Sequence, residues 1–252
     1  MINAFYTAKS GVKNSQYYLD AVANNIANVN TQSFKAQNIS FTDLLYSDFY
    51  NKEGVTLQNG NGSRIVISRD MGQGAAQRSD DKSDFMIDGR GFFAMMDSRG
   101  EITYTRSGSF SVHEFEGVNY LVSHCGDYVL DENLDRIELD TQSPVLFMSP
   151  GEAAGATDEE KENAVCVGLF YFSDSEKLIA TGDGKYELPI NTTMTTQVDM
   201  ESKIVPGMNE ASNVNLASEM AKLITAQRGF QINTRMIQTA DEMEQNANNL
   251  SN

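Results

Sequence analysis

A stripe recurs by threes and fours along the first thirty positions of the chain, Phe5, Ala8, Val12, Ser15, Leu19, Val22, Ile26 and Val29, apolar at every position but Ser15. That spacing puts them on one face of a helix and repeats as a coiled-coil seam does. Lys9, Lys13, Asn14, Asp20 and Asn24 fall on the opposite, polar face. The C-terminal stretch carries a second stripe, Leu216, Met220, Leu223, Phe230 and Ile237. Met236, Ala240, Met243, Ala247 and Leu250 continue it one position earlier, as a straight helix drifts against a seven-residue repeat. Asn215 is placed to cap this second helix, with Glu219 in its first turn and the break Pro206-Gly207 upstream. Isolated helices are marginal in water, and Gly11 costs the first one about 1 kcal/mol relative to alanine. The two seams therefore need each other, and further copies from neighbouring chains.

The end of the first helix is rich in amides, with Asn24, Asn25, Asn28 and Asn30 set around Val22, Ile26 and Val29. Asparagine competes with the backbone and is a mediocre helix former. It offers donors and acceptors, however, and bonds across packed helix surfaces without adding charge.

Between the helices the period changes to that of strands. Short alternating or apolar runs, among them RIVIS (64–68), DFMID (84–88), GFFAMM (91–96), EITYT (101–105), NYLVS (119–123), PVLFM (144–148), AVCVGLFYF (164–172) and KLIAT (177–181), are separated by turn signals. Those signals include Asp88-Gly89, Arg99-Gly100, Glu116-Gly117 and Gly182-Asp183-Gly184, the pattern of an all-β region with many hairpins. Residues 151–163, GEAAGATDEEKEN, read as an exposed acidic loop. The expected class is α+β: long N- and C-terminal helices pairing as a coiled coil, with an inserted, mainly antiparallel β domain. The expected divisions are residues 1–34 with 211–252 as a discontinuous helical domain, 35–82 as an extended arm and 83–210 as the β domain.

The charge balance is acidic, 35 Asp and Glu against 19 Lys and Arg in 252 residues, for a net charge of −16. A nucleic-acid binder needs a basic footprint, which this chain lacks. No apolar run reaches the roughly 18 residues of a membrane-spanning helix, so no membrane insertion is expected. The opening MINAFYTAKSGVKN has no continuous apolar stretch of the kind a cleaved secretory signal carries. The expected location is the cytoplasm, or outside it by a route that reads no cleaved signal. Cys125 and Cys166 have no metal-site spacing and read as two separate thiols.

Catalysis needs converging reactive groups, and the sequence does not assemble them. His113 and His124 are the two histidines. His124 and Cys125 are adjacent, so in a strand they point to opposite faces. Gly-Arg-Gly at 89–91 precedes a strand-like run rather than a helix N-terminus, which argues for a hairpin turn over a phosphate loop. Asp131, Asn133 and Asp135 open like a calcium loop, but Arg136 stands where glycine belongs and Gln142 where glutamate belongs, leaving a solvated turn. Asn191-Thr192-Thr193 is a formal glycosylation acceptor. No catalytic, cofactor-binding or metal residues are assigned, and no cofactor is expected.

The stretch ANNIANVNTQSFKAQ (23–37) closely resembles the N-terminal signature of the flagellar rod and hook axial proteins. ASNVNLASEMAKLITAQRGFQINTRMIQTADEM (211–243) resembles the matching terminal helix of that family. DFMIDGRGFFAMMDSRGEITYTRSGSFSV (84–112) resembles the β segment of its larger members, with Gln73-Gly74 shortly before it. Asn24, Asn25, Asn28, Asn30, Phe34, Lys35, Asn213, Gln227 and Arg228 are the positions that carry the family pattern. Length and FTDLLY (41–46) favour the distal rod members, with proximal rod members of similar size as near rivals and hook-type members, typically much longer, as a further alternative. Where the family usually has glycine this chain has Ser33, which calls the turn geometry there into question, since glycine tolerates positive φ more easily.

The resemblance implies a structural, non-enzymatic subunit of the periplasm-spanning rod. It implies passage through the flagellar export apparatus without a cleaved signal, and polymerisation with copies of itself into a hollow helical shaft. Neighbouring rod and hook proteins and surrounding ring proteins are the implied partners. Phe5, Val12, Leu19, Val22, Ile26, Val29, Leu216, Met220, Leu223, Phe230, Ile237 and Met243 are then the expected subunit-packing residues. Helices without partners cannot bury their seams, so they are expected to be largely disordered in the free subunit. A reading from another class is a β binding module dimerised through coiled-coil ends.

Overall fold

A computed structural model describes residues 2–43, 46–50, 56–60, 63–81, 83–139, 146–155, 164–189 and 196–250. The class is α+β, with helices at both ends of the chain and an antiparallel sheet domain. The chain divides into two compact units. The first comprises Met1–Val29, Ala36–Asp70 and Val214–Asn252; the second comprises Asn30–Lys35 and Met71–Asn213.

In the first unit, helix α1 spans Ile2–Ala27 and packs against helix α3, Leu216–Leu250. Asn215 caps α3 as its position predicts: its Oδ1 accepts the N–H of Ser218 at 3.1 Å. α1 ends in a turn in which the N–H of Asn28 bonds to the carbonyls of Asn24 and Asn25. Strands Gln37–Asp43 and Ser63–Arg69 pair antiparallel from Gln37↔Arg69 to Asp43↔Ser63. Strands Tyr46–Tyr50 and Thr56–Gly60 pair antiparallel beyond them. Leu44 and Leu45 of FTDLLY lie outside the described residues.

The second unit is built on a ten-stranded sheet among the described residues. Strand Phe92–Met96 is central to it and pairs with Ile102–Thr105, Tyr128–Val129 and Leu169–Phe172. Its FFAMM run is buried on both faces. Phe93 and Met95 join Phe85, Ile87, Phe110, Leu121 and Leu169 in one core. Phe92 and Ala94 join Tyr104, Leu130, Phe170, Phe172 and Tyr186 in the other. A strand that packs on both sides reads as a continuous apolar run rather than an alternation.

The predicted hairpins at three of the turn signals are present. Phe110–Phe115 and Val118–Ser123 pair across Glu116 and Gly117, whose φ of 55° and 84° suit a two-residue turn matched to strand twist. Phe92–Met96 pairs with Ile102–Thr105 around Gly100, and Ile179–Gly182 pairs with Lys185–Glu187 around Asp183 and Gly184.

Three local expectations are corrected. Gly89-Arg90-Gly91 is not a hairpin turn: Phe85–Asp88 pairs with Lys203–Pro206 in a separate two-stranded sheet, so the turn carries the chain from one sheet to another. The start of the acidic loop is a short helix, α2, Pro150–Gly155; residues 156–163 lie outside the described residues. Asn14, assigned to the polar face of α1, is buried. Asp131 does organise a turn, its Oδ1 accepting the N–H groups of Asn133 and Asp135. Gln142 and the Asn191-Thr192-Thr193 sequon are outside the described residues. Among the described residues no helix is long and apolar enough to cross a membrane.

Candidate subunit-packing surface and the polar joints behind it

The α1–α3 contact includes polar and small side chains as well as apolar ones. The N–H of the Asn233 amide donates to Ser15 Oγ at 3.3 Å. Gly11 faces the same amide so closely that a Cβ on it would lie 2.9 Å from Asn233 Nδ2. Asn25 is only 1% exposed and is fully engaged. Its amide donates to Glu219 Oε2 and to the Gln37 carbonyl, each at 3.0 Å, and its Oδ1 accepts the Gln37 N–H at 2.8 Å. Asn25 thus pairs with the main chain of Gln37 as a neighbouring strand would. Glu219, itself buried, also accepts Lys222 at 2.7 Å.

Of the expected packing residues, Val22 is buried, while Val12, Leu19, Ile26, Val29, Leu223, Phe230 and Ile237 are half-buried. Phe5, Leu216, Met220 and Met243 are exposed. They are joined on the surface by Tyr6 and Tyr17 of α1 and by Ile224, Ile232 and Met236 of α3. Ile232 is 61% exposed and Met243 59%. The buried and half-buried line of α3 runs Glu219, Leu223, Ala226, Phe230, Asn233, Ile237 and Ala240. The exposed apolar residues lie away from that line, so α3 is apolar on two sides. Clustered exposure of large apolar side chains marks an interaction surface.

The second unit has its own polar joint. Glu210 accepts Lys35 Nζ on Oε1 at 2.6 Å and Arg106 Nε on Oε2 at 3.2 Å, with side-chain exposures of 1% for Glu210, 1% for Lys35 and 3% for Arg106. Two cations on one carboxylate leave a positive excess, and main-chain carbonyls absorb it. Lys35 also donates to the Gly72 carbonyl at 2.8 Å, and the Arg106 guanidinium donates to the carbonyls of Gly91 at 2.8 Å and Gly89 at 2.9 Å. The Gly74 N–H adds a bond to Glu210 Oε1 at 2.7 Å.

The turn at 89–91 wraps this arginine. Ser202 Oγ accepts the N–H groups of Arg90 and Gly91, and Gly89, at φ 145°, has Ser202 Oγ where a Cβ would sit, 2.0 Å away. Ser33 takes the left-handed conformation, at φ 55°, that glycine adopts most easily. Its N–H bonds to the Glu210 carbonyl at 2.7 Å and its Oγ to the Arg106 carbonyl at 3.1 Å.

Among the family-pattern positions, then, Asn25 and Lys35 are buried in these joints. Asn213 donates to the Phe34 carbonyl through its N–H and to Gly72 through its amide, and both Asn213 and Phe34 are half-buried. Asn28 is half-buried and bonds back to Asn24. Asn24, Asn30, Gln227 and Arg228 are exposed. Sequence reasoning passed over Gly11, Asn233, Arg106 and Glu210. Asn233 and Glu219 could have been found as polar residues at seam spacing.

The same segments carry the similarity to known proteins. Residues 5–35 match the family described as "Flagella basal body rod protein". Residues 86–149 match "Flagellar hook protein FlgE/F/G D1 domain", and 205–250 match "Flagellar basal body rod FlgEFG protein C-terminal". Over 266 residues the chain is 30% identical to the flagellar basal-body rod protein FlgG of Bacillus subtilis, covering 99% of both chains. The chain belongs to the flagellar basal-body rod protein family. FlgG of Borreliella burgdorferi is also 30% identical, over 99% of both chains. FlgF of Caulobacter vibrioides is 33% identical, over 98% of this chain and 97% of its own. The two helices fall mainly in the first and last matched segments, and the middle one covers the sheet strands from Phe92–Met96 to Glu138–Leu139. Among the described residues no group of three or more His, Cys, Asp or Glu is placed to hold a metal ion. Cys125 and Cys166 are not bonded to each other.

Proposed function

We propose that this chain is a structural subunit of the bacterial flagellar rod, most like the distal rod protein, and that it polymerises into a hollow helical shaft that transmits torque across the periplasm. The full-length similarity to proteins named FlgG supports the distal position, while the similarity to FlgF keeps the proximal rod as the alternative. In this reading α1 and α3 form a coiled-coil terminal domain, residues 1–34 with 211–252, and the β domain carries the outer surface. Of the expected packing residues, the exposed Phe5, Leu216, Met220 and Met243 dock on neighbouring copies. Rod and hook proteins meet the ends of the polymer, ring proteins surround it, and the export apparatus delivers the subunit without a cleaved signal.

The observation that carries the proposal is the second apolar side of α3. Ile224, Ile232, Met236 and Met243 remain exposed after α3 has packed on α1. A head-to-tail contact that does not close gives an open filament. Limited proteolysis with mass mapping tests the reading on the free subunit and on the assembled polymer. Cleavage within both helices of the free subunit, lost on assembly, supports docking of these surfaces. Helices cleaved at the same rate before and after concentration, in a species that stays monodisperse, would favour a closed fold and a dimerised β binding module.

A further inference from the structure

We propose that Asn25 is a register lock: its buried amide, held by Glu219 of α3 and Gln37 of the adjoining strand, selects one alignment of α1 against α3 from those that heptad spacing allows. Apolar burial cannot make this choice. Sliding one helix by seven residues returns apolar positions to apolar positions, with similar area removed from water.

The polar residues break that degeneracy. In the observed antiparallel alignment Asn25 meets Glu219, while Asn233 meets Ser15 and fills the notch at Gly11. A slide of one heptad sets Asn25 against Ala226 and brings Asn233 toward Tyr18. Glu219, 4% exposed, then loses its bond from Asn25. A buried polar group without its partner is costly, so the slipped alignments are penalised although the apolar fit is similar.

Asn25 suits the task better than an apolar residue because its bonding is complete in one geometry. Both amide hydrogens and the oxygen are used, two of the three bonds going to main-chain groups of Gln37. The position of Gln37 is in turn fixed by pairing of its strand with Ser63–Arg69. Asn25 therefore aligns α1 with α3 and with that strand at once. These contacts lie within a single chain, so the proposal does not depend on polymerisation.

The test is intrachain cross-linking of the full-length protein at low concentration. Cysteine is placed at Ser15 and, in separate variants, at Asn233, Ala226 or Ala240, the native partner and one heptad to either side. Cross-linked peptides are identified by mass, which separates them from Cys125 and Cys166. With Asn25 and Glu219 intact, the 15–233 product should exceed the others by about tenfold. In N25L/E219L, where both polar groups become apolar, far-UV circular dichroism should show helicity retained while that preference falls to near parity. Glu219→Gln, which keeps an acceptor, should preserve it. Persistence of the 15–233 preference in N25L/E219L, or its absence in the parent protein, would overturn the proposal. So would loss of helicity in N25L/E219L, which would make the pair a requirement for pairing rather than its selector.

Discussion

Lys35 and Glu210 meet at 2.6 Å with both side chains almost wholly shut off from solvent. Arg106 shares the same carboxylate, so one acid neutralises two buried cations. Glu210→Ala leaves both without their counter-charge and should destabilise the second unit by about 3–5 kcal/mol. Lys35→Met should cost less, because the Arg106–Glu210 pair survives. Urea denaturation of the two variants checks both the size and the order.

Ser33 gives a graded prediction. Its left-handed backbone carries a cost that glycine escapes, but its hydroxyl contributes the bond to the Arg106 carbonyl. Ser33→Gly exchanges one for the other and should leave stability within about 1 kcal/mol of the parent. Ser33→Ala keeps the strain and loses the bond, and should be destabilised by about 1 kcal/mol. Thermal unfolding of the pair measures the difference.

Gly11 is placed for close approach rather than for helix propensity. In an open helix, Gly→Ala would gain about 1 kcal/mol. Here the added methyl meets the Asn233 amide, so Gly11→Ala should show little of that gain, and Gly11→Leu should separate the helices. Helicity by circular dichroism and thermal unfolding, with Asn233 left in place, report the two effects.

The thiols should differ in reactivity. Burial, then the nearby charges of Glu132 and Asp131, push the Cys166 thiol from 9.0 up to about 11. The folded protein therefore holds that proton more tightly than the unfolded chain. The associated stability is present below pH 9 and is lost as pH rises toward 11. Alkylation at pH 8 should modify exposed Cys125 and spare Cys166, with Cys166 labelling rising only as pH approaches 11. Peptide mapping across that pH range checks it.

Much of the architecture was legible because local physics and tertiary packing agree. The seams around Val22 and Phe230, the Asn215 cap and the Glu116-Gly117 turn need only short-range sequence to be read. The triad of Lys35, Arg106 and Glu210 was not legible, because its members are far apart in sequence and each alone reads as a surface charge. Gly89-Arg90-Gly91 misled for a related reason. Its partner is Ser202, and the strand before it pairs with Lys203–Pro206, so no nearby residue announces the change of sheet. On α1 the hydropathy pattern pointed to Val12, Leu19 and Ile26, while the atomic contacts with α3 include Gly11 and Asn25, beside Ser15, the one polar position of the seam. Close helix approach selects small and polar side chains, which a search for oily stripes passes over. The exposed Ile224 and Ile232 were hidden in the opposite way, since a helix with two apolar sides has no single stripe.

The exposed apolar side of α3 is the proposed surface on which copies dock. Ile232 is exposed in the single chain, so Ile232→Asp should leave the subunit folded, with unchanged circular dichroism. Buried at a subunit contact, the same carboxylate would lack a partner and cost several kcal/mol for each copy added. Sedimentation and electron microscopy of purified protein under polymerising conditions make the direct measurement. Filaments from the parent and none from the Ile232→Asp variant are the predicted result; filaments of equal length and yield from both would contradict the account.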